Sequence, residues 1–533
     1  MRTRRSTSLA TLATLLAIAL AGALVSPGSP ATGSTLAAPT SRGQQAAGTG
    51  TLAVSPARFV GGQSLTWTGR LPHRGVRTIT LQRFLNRPGD TWIDVQGFSA
   101  RTNADGSFSF HYPAPDMIDI GFRVKSGRYA TQKLDLFPAQ QDVVLWAEQP
   151  LLRGAGRTPT TRVAAGLPFT IVADTTPAAG MPVFPGRVLT LERRVDATRW
   201  LPVGVTAVGP SGEGRFLDIT SSIGNPVYRV IEADLTGGLD QIGWYPSFPT
   251  YFDSVDPTGR PAPTRTPARP LRATPDATPP VPAQRAATTA ALRWRWGYPI
   301  FDFDWTSGES LTSPPWRGSR PQGEWTEYLG GTGRVAKRSG QLGVWSGRTD
   351  RYGSGNRGTT ATTLQGNAQP YGRWELKLRT VTRSGGSPYL VRAELVPERA
   401  RDYDCGAHNI TVAEVRQGQR TARIGATQDR TRWSRTVRLG NLENSAPAVA
   451  VELMDDHVTW FVNSRPVGVL EEREVTGGVP MTLRLSLVGS DDHEMANTTL
   501  LSDWQRGFPL NSSPGVLDGP SLTRSTSTSS CRS

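Results

Sequence analysis

The sequence is poor in the residues that usually staple small exported domains or hold metals. It has 2 Cys and 5 His in 533 residues. That is too few cysteines for a disulfide scaffold, and the histidines are scattered without metal-ligand spacing, so no catalytic metal and no cofactor are expected. Lysine is nearly absent: Lys125, Lys133, Lys337 and Lys377 are the only 4 among 59 basic residues, and the others are Arg. Beyond Val25 no apolar run approaches the roughly 20 residues that a membrane-spanning helix needs. No basic block is interleaved with aromatics, which argues against nucleic acid as a partner.

What the chain has in quantity is turn formers. Its 57 Gly and 42 Pro, with 8% aromatics, suit an all-β chain with many turns. At about 150 residues per domain, the length calls for about three domains. The formal net charge of +15 would draw the protein to anionic polymers such as acidic wall glycans, nucleic acid or lipid headgroups. An Arg-for-Lys bias is also what a GC-rich genome produces.

The N-terminus reads as an export signal. Arg2, Arg4 and Arg5 precede an apolar run from Leu9 to Val25, and a small-residue stretch continues through Ala38. Cleavage is expected between Ala23 and Ala38, so residues 1–38 are taken as the signal peptide and the start of a flexible lead-in. The mature chain is then secreted, extracellular or cell-wall associated, with no membrane span. Export permits a disulfide between Cys405 and Cys531; two free or intermolecular thiols are the alternative.

Strand-like runs recur with a period of roughly 106 residues. Gly62–Thr66 echoes Gly166–Thr170, and Arg77–Arg83 echoes Arg187–Arg193. Trp92 with Val95 echoes Trp200 with Val203, Gly106-Ser107-Phe108 echoes Gly214-Arg215-Phe216, and Phe122-Arg123-Val124 echoes Tyr228-Arg229-Val230. Apolar residues alternate within each run, as Ile79 and Leu81 do against Thr78, Thr80 and Gln82. Residues 51–142 and 157–250 are therefore read as two β-sandwiches resembling bacterial immunoglobulin-like modules. A Pro/Thr/Ala-rich linker follows over residues 253–291, then a larger domain over 292–510 and a Ser/Thr-rich, disordered tail over 511–533.

The larger domain alternates again, in Trp374-Glu375-Leu376-Lys377-Leu378 and in Met481–Leu487, which predicts a large double-sheet sandwich or jelly roll. Its landmarks fall in a familiar order. They are Phe301-Asp302-Phe303-Asp304, Gly340-Gln341-Leu342-Gly343-Val344, Tyr371-Gly372-Arg373-Trp374-Glu375, Tyr389–Leu395 running into Val396-Pro397-Glu398, the polar strand His408–Glu414, His457–Asn463, and Ser502-Asp503-Trp504. Together they resemble glycoside hydrolase family 16, the laminarinase and lichenase type of concanavalin-like jelly roll.

That resemblance implies a catalytic strand of the form Glu-x-Asp-x-x-Glu. The first Glu is the nucleophile, the Asp tunes the pair and the last Glu is the acid/base. Mapped residue by residue, the nucleophile position is Asn409, the tuning position Thr411 and the acid/base position Glu414. Retention through a glycosyl-enzyme intermediate needs two carboxylates about 5–5.5 Å apart. Positions i and i+2 of a strand share a face, and i+5 joins them only through a bulge. Asn409 carries no charge with which to attack, so the chain is expected to be a glycan-binding pseudoenzyme whose partner is a polysaccharide or cell-wall glycan. The alternatives are an active retaining endo-glycosidase on a β-glucan or galactan, and a structural or adhesive surface protein. By the same resemblance a structural Ca²⁺ has one candidate ligand in Asp503. Of the tryptophans Trp294, Trp296, Trp316, Trp325 and Trp345, some are expected in the core and one or two are candidates for a sugar-stacking shelf.

Overall fold

The computed structural model describes residues 49–85, 91–117, 120–148, 160–220, 222, 224–237, 241–256, 289–305, 310–312, 315–316, 320–321, 323–338, 340–348, 353–399, 408–510 and 514–526. The fold is all-β. Among these residues the only helix is the four-residue turn Ala290–Arg293, capped by the Thr289 hydroxyl. Residues 48–533 form one compact unit.

The sequence repeat is a repeat of strand pairing. Near the N-terminus, Ser64–Arg70 pairs with Thr51–Ser55 on one side and Ser107–Pro113 on the other. Thr78–Phe84 pairs with Ile120–Ser126. Their inward residues Leu65, Trp67, Ile79, Leu81, Phe108, Phe122 and Val124 form one core. The same pattern returns downstream. Phe169–Asp174 lies between Val144–Glu148 and Glu213–Ile219, and Val188–Arg194 pairs with Val227–Glu232. A second core gathers Leu145, Phe169, Ile171, Leu189, Leu191, Phe216 and Val230. The first strand of this second set starts at Val144, ahead of the expected boundary at residue 157. The hairpin glycines are Gly106 and Gly212, both at φ 86°. The sequence echo of Gly106 with Gly214 is therefore two residues out of register.

The second set of strands packs directly on the large sandwich. Arg229 reaches across to Glu327 while bonding Glu192 at 2.7 Å. The buried Arg334 donates to the Pro246 carbonyl at 3.1 Å and the Tyr245 hydroxyl at 2.7 Å. The Leu329 amide donates to the Ala197 carbonyl at 2.6 Å. Most of the expected linker, residues 257–288, lies outside the described residues.

The large sandwich has an eight-stranded antiparallel sheet in the spatial order Glu324–Leu329, Thr360–Gln365, Met481–Val488, Leu390–Pro397, His408–Arg416, Thr421–Gln428, Thr431–Arg438, Thr523–Thr526. A six-stranded sheet built around Gly372–Lys377, Ala448–Leu453 and Val458–Val462 shares its core. The core residues alternate along each strand as period two requires: Val391, Ala393 and Leu395; Ala422, Ile424 and Ala426; Leu483, Leu485 and Leu487. The sandwich does not end at residue 510. Thr523–Thr526, in the stretch expected to be a disordered tail, pairs with Thr431–Ser434 as an exposed edge strand. Its alternation of Thr, Arg and Ser suits a strand with nothing to bury. Residues 511–513 and 527–533 are outside the described set.

Candidate functional site

The strand His408–Arg416 crosses the middle of the large sheet, and a bulge divides it. Against both neighbouring strands the register slips between Thr411 and Glu414: Glu394 pairs with Thr411 and Ala393 with Ala413, so Val412 is passed over. Val412 and Ala413 both enter the core, next to each other in sequence. Two successive inward residues reverse the phase of the strand. Asn409 and Thr411 before the bulge, and Glu414 after it, therefore share the face turned away from the core. The three positions picked out in the sequence are brought together.

Two features hold the bulge. The Trp460 indole, fully buried in the facing sheet, donates to the Thr411 carbonyl at 2.9 Å. Opposite Thr411 stands Gly425, where a Cβ would lie 2.1 Å from the Trp433 carbonyl oxygen. Only glycine lets the backbone come that close.

The chemistry on this face differs from a pair of free carboxylates. Glu414 is clamped by two guanidinium groups, with Arg392 at 2.8 Å and Arg423 at 2.5 Å. Burial pushes its carboxyl up, but the Arg392 and Arg423 charges and hydrogen bonds outweigh burial and hold it below the usual range. A carboxylate so held keeps no proton to give to a leaving group. The Asn409 amide donates to Glu394 at 3.0 Å. Glu394 is 1% exposed and lies 4.0 Å from both Arg392 and Arg484. This second carboxylate was not singled out in the sequence. The available signal was the alternation of Arg392, Glu394 and Val396 against Val391, Ala393 and Leu395, which places a Glu on the outer face of a central strand.

The remaining expectations fare variously. Trp296, Trp325 and Trp345 are buried core residues, and Trp294 is half-buried, donating its indole N–H to the Ser464 carbonyl at 3.1 Å. These four do not form an exposed shelf, because their rings pack into the protein's apolar cores. The Asp503 carboxylate accepts from Lys377 at 2.8 Å and from the Gln341 amide, so both its partners are donors. Among the described residues no group of three or more His, Cys, Asp or Glu is arranged to hold a metal. Cys405 and Cys531 lie outside the described residues.

No protein-family profile matches the chain, and no curated protein matches it. Solved structures do resemble parts of it. A non-specific endo-β-1,3(4)-glucanase of glycoside hydrolase family 16, co-crystallised with an oligosaccharide, is 11% identical and has a TM-score of 0.31 over 40% of this chain and 94% of that one. The endo-1,3-β-glucanase (laminarinase) catalytic domain from Thermotoga petrophila RKU-1 is 16% identical, with a TM-score of 0.26 over 33% of this chain and 79% of that one. The endo-β-1,3-glucanase from Pyrococcus furiosus is 12% identical, with a TM-score of 0.27 over 34% of this chain and 78% of that one.

Proposed function

We propose that this chain is an exported, non-catalytic glycan-binding protein that holds polysaccharide on the face carrying Asn409, Thr411 and Glu414. The carrying observation is the state of the three positions that the family 16 resemblance assigns to catalysis. They converge on one face, yet the nucleophile position is an amide bonded to Glu394 and the acid/base position is locked between Arg392 and Arg423. A retaining glycosidase needs a free nucleophilic carboxylate and an acid that releases its proton near the working pH. Asn409 and Glu414 supply neither, while a sheet face lined with hydrogen-bonding side chains suits sugar recognition. The two N-terminal strand sets are read as immunoglobulin-like modules that orient this face.

The test is to incubate the full chain with laminarin, mixed-linkage glucan, agarose, carrageenan and purified wall polymers, measuring both retention and reducing-end release. Retention on at least one polymer without reducing-end release is expected. Failure to retain on any of them overturns the proposal. One observation favours an active hydrolase as a second reading, namely Glu394 beside the nucleophile position. That reading requires reducing-end release that disappears in Glu394→Gln.

A further inference from the structure

Strand parity sorts six arginines onto the same outer face of the sheet. Arg392, Arg423 and Arg484 stand directly opposite Glu414, Glu414 and Glu394 in the pairing register. Arg416 follows Glu414 by two residues, while Arg438 and Arg432 pair with Thr421 and Thr427 on the next strand, which alternate with Arg423. Over these five central strands the face carries only two carboxylates, Glu394 and Glu414. Both are already committed, Glu414 to Arg392 and Arg423, and Glu394 beside Arg392 and Arg484. That leaves an excess of cations.

The uncommitted cations are Arg432 at one end of the strand Thr431–Arg438, and Arg438 at its other end with Arg416. Among the described residues none of these three has a carboxylate within ion-pair distance. Arg432 is half-buried, and its Nε is shielded from solvent with no hydrogen-bond partner in the protein. Burial and the nearby Arg423 and Arg392 charges weaken its hold on its proton, with the Glu414 charge opposing them, so Arg432 stands at the edge of the Glu414 clamp. Two further buried polar atoms on the same face, Asn409 Oδ1 and Ser486 Oγ, also have no protein partner. A half-buried guanidinium beside like charges is costly unless an anion neutralises it. Its planar fork fits the paired oxygens of a carboxylate, sulfate or phosphate.

We infer that the glycan held on this face is anionic, and that Arg432, Arg416 and Arg438 bind its oxyanions while Asn409 and Ser486 meet its hydroxyls. This rests on the glycan-binding function proposed above and narrows it to one ligand class. Arg432 and Arg438 pair with Thr427 and Thr421, and the exposed Tyr328 ring lies under Arg484 at the far side of the face. Sequence-tolerant binding of single-stranded nucleic acid relies on aromatic platforms for the bases, whereas the threonines offer the hydrogen bonds that sugar hydroxyls need.

The experiment uses the full chain and charge-matched pairs of polymers. The oxyanion arms are carrageenan for sulfate, polygalacturonate for carboxylate and teichoic acid for phosphodiester. Agarose and fully methyl-esterified pectin are the neutral partners of the first two, and single-stranded DNA is the control polyanion. Binding to at least one oxyanion arm should exceed binding to the neutral polymers, weaken with rising salt, and fall by about tenfold in the double variant Arg432→Gln with Arg438→Gln. The arm that binds best names the oxyanion. Equal, salt-independent binding to neutral and charged polymers, unchanged in the variant, overturns this inference while leaving glycan binding standing. No binding to any glycan overturns both, and tighter binding to DNA than to every glycan overturns the ligand class. Thermal melting of the variant separates loss of contact from loss of fold, since replacing excess like charges should leave the melting temperature unchanged or higher.

Discussion

The Trp460 indole N–H donates to the Thr411 carbonyl at 2.9 Å, joining the core of one sheet to the bulge of the other. A bulge leaves backbone groups without a partner in the ladder, and a buried carbonyl left unpaired costs about 1–3 kcal/mol. Trp460→Phe keeps most of the buried ring but removes the donor. It should lower unfolding free energy in urea by that amount. No loss of stability would mean that the bulge is held by the strand pairing alone.

Glu414 offers a pH test. Its folded carboxyl lies below the usual range, so its stabilising contribution is present above the unfolded value of about 4.3 and is lost as pH falls through the folded value. Glu414→Gln removes that contribution and leaves Arg392, Arg423 and Arg432 facing one another. The variant should be less stable than wild type by about 2–3 kcal/mol at pH 7, and the difference should shrink below pH 4. A constant difference from pH 7 to pH 3 would show that the clamp does not set the carboxyl.

The contact between the second strand set and the sandwich predicts a loss of cooperativity. Arg229 stacks over Trp200, 4.3 Å from the ring centroid, and binds both Glu192 and the nearly buried Glu327. Arg229→Ala would strand Glu327 at a cost of about 3–5 kcal/mol. Calorimetry should show one transition in wild type and two in the variant. A single transition in both would mean that the remaining contacts, Arg334 with Tyr245 among them, suffice to couple the two parts.

Much of this was legible from local pattern. Alternation at Ile79 and Leu81, and at Leu483 and Leu485, placed strands because period two is a property of neighbours in sequence. The shared face of Asn409, Thr411 and Glu414 was foreseeable too, on condition of a bulge. Its cause, Val412 and Ala413 both turning inward, depends on Trp460 and Gly425 from elsewhere in the chain. Glu394 escaped notice because its role is set by the neighbouring strand, and no spacing within one strand reports a partner 15 residues away. Which of the tryptophans near residue 300 fill a core was not legible, because composition cannot tell an aromatic that stacks on sugar from one that packs inside.

Glu394 also decides what happens if the missing carboxylates are put back. The Asn409 amide nitrogen is 3.0 Å from the Glu394 carboxylate. In Asn409→Glu a longer carboxylate side chain would face that of Glu394, and two adjoining buried carboxylates cannot both ionise freely. The shared proton raises the folded value of the pair above the unfolded one, so stability is retained at low pH and lost as pH rises. The double variant Asn409→Glu with Thr411→Asp should therefore stay inactive on laminarin and be destabilised by about 2–4 kcal/mol at pH 8, recovering toward pH 5. Adding Glu394→Gln should restore the stability at pH 8, because the amide can donate to the new carboxylate as Asn409 now donates to Glu394. Urea unfolding at both pH values reads this directly. If Asn409→Glu is as stable as wild type at pH 8, Glu394 is not the group that keeps a carboxylate out of the nucleophile position.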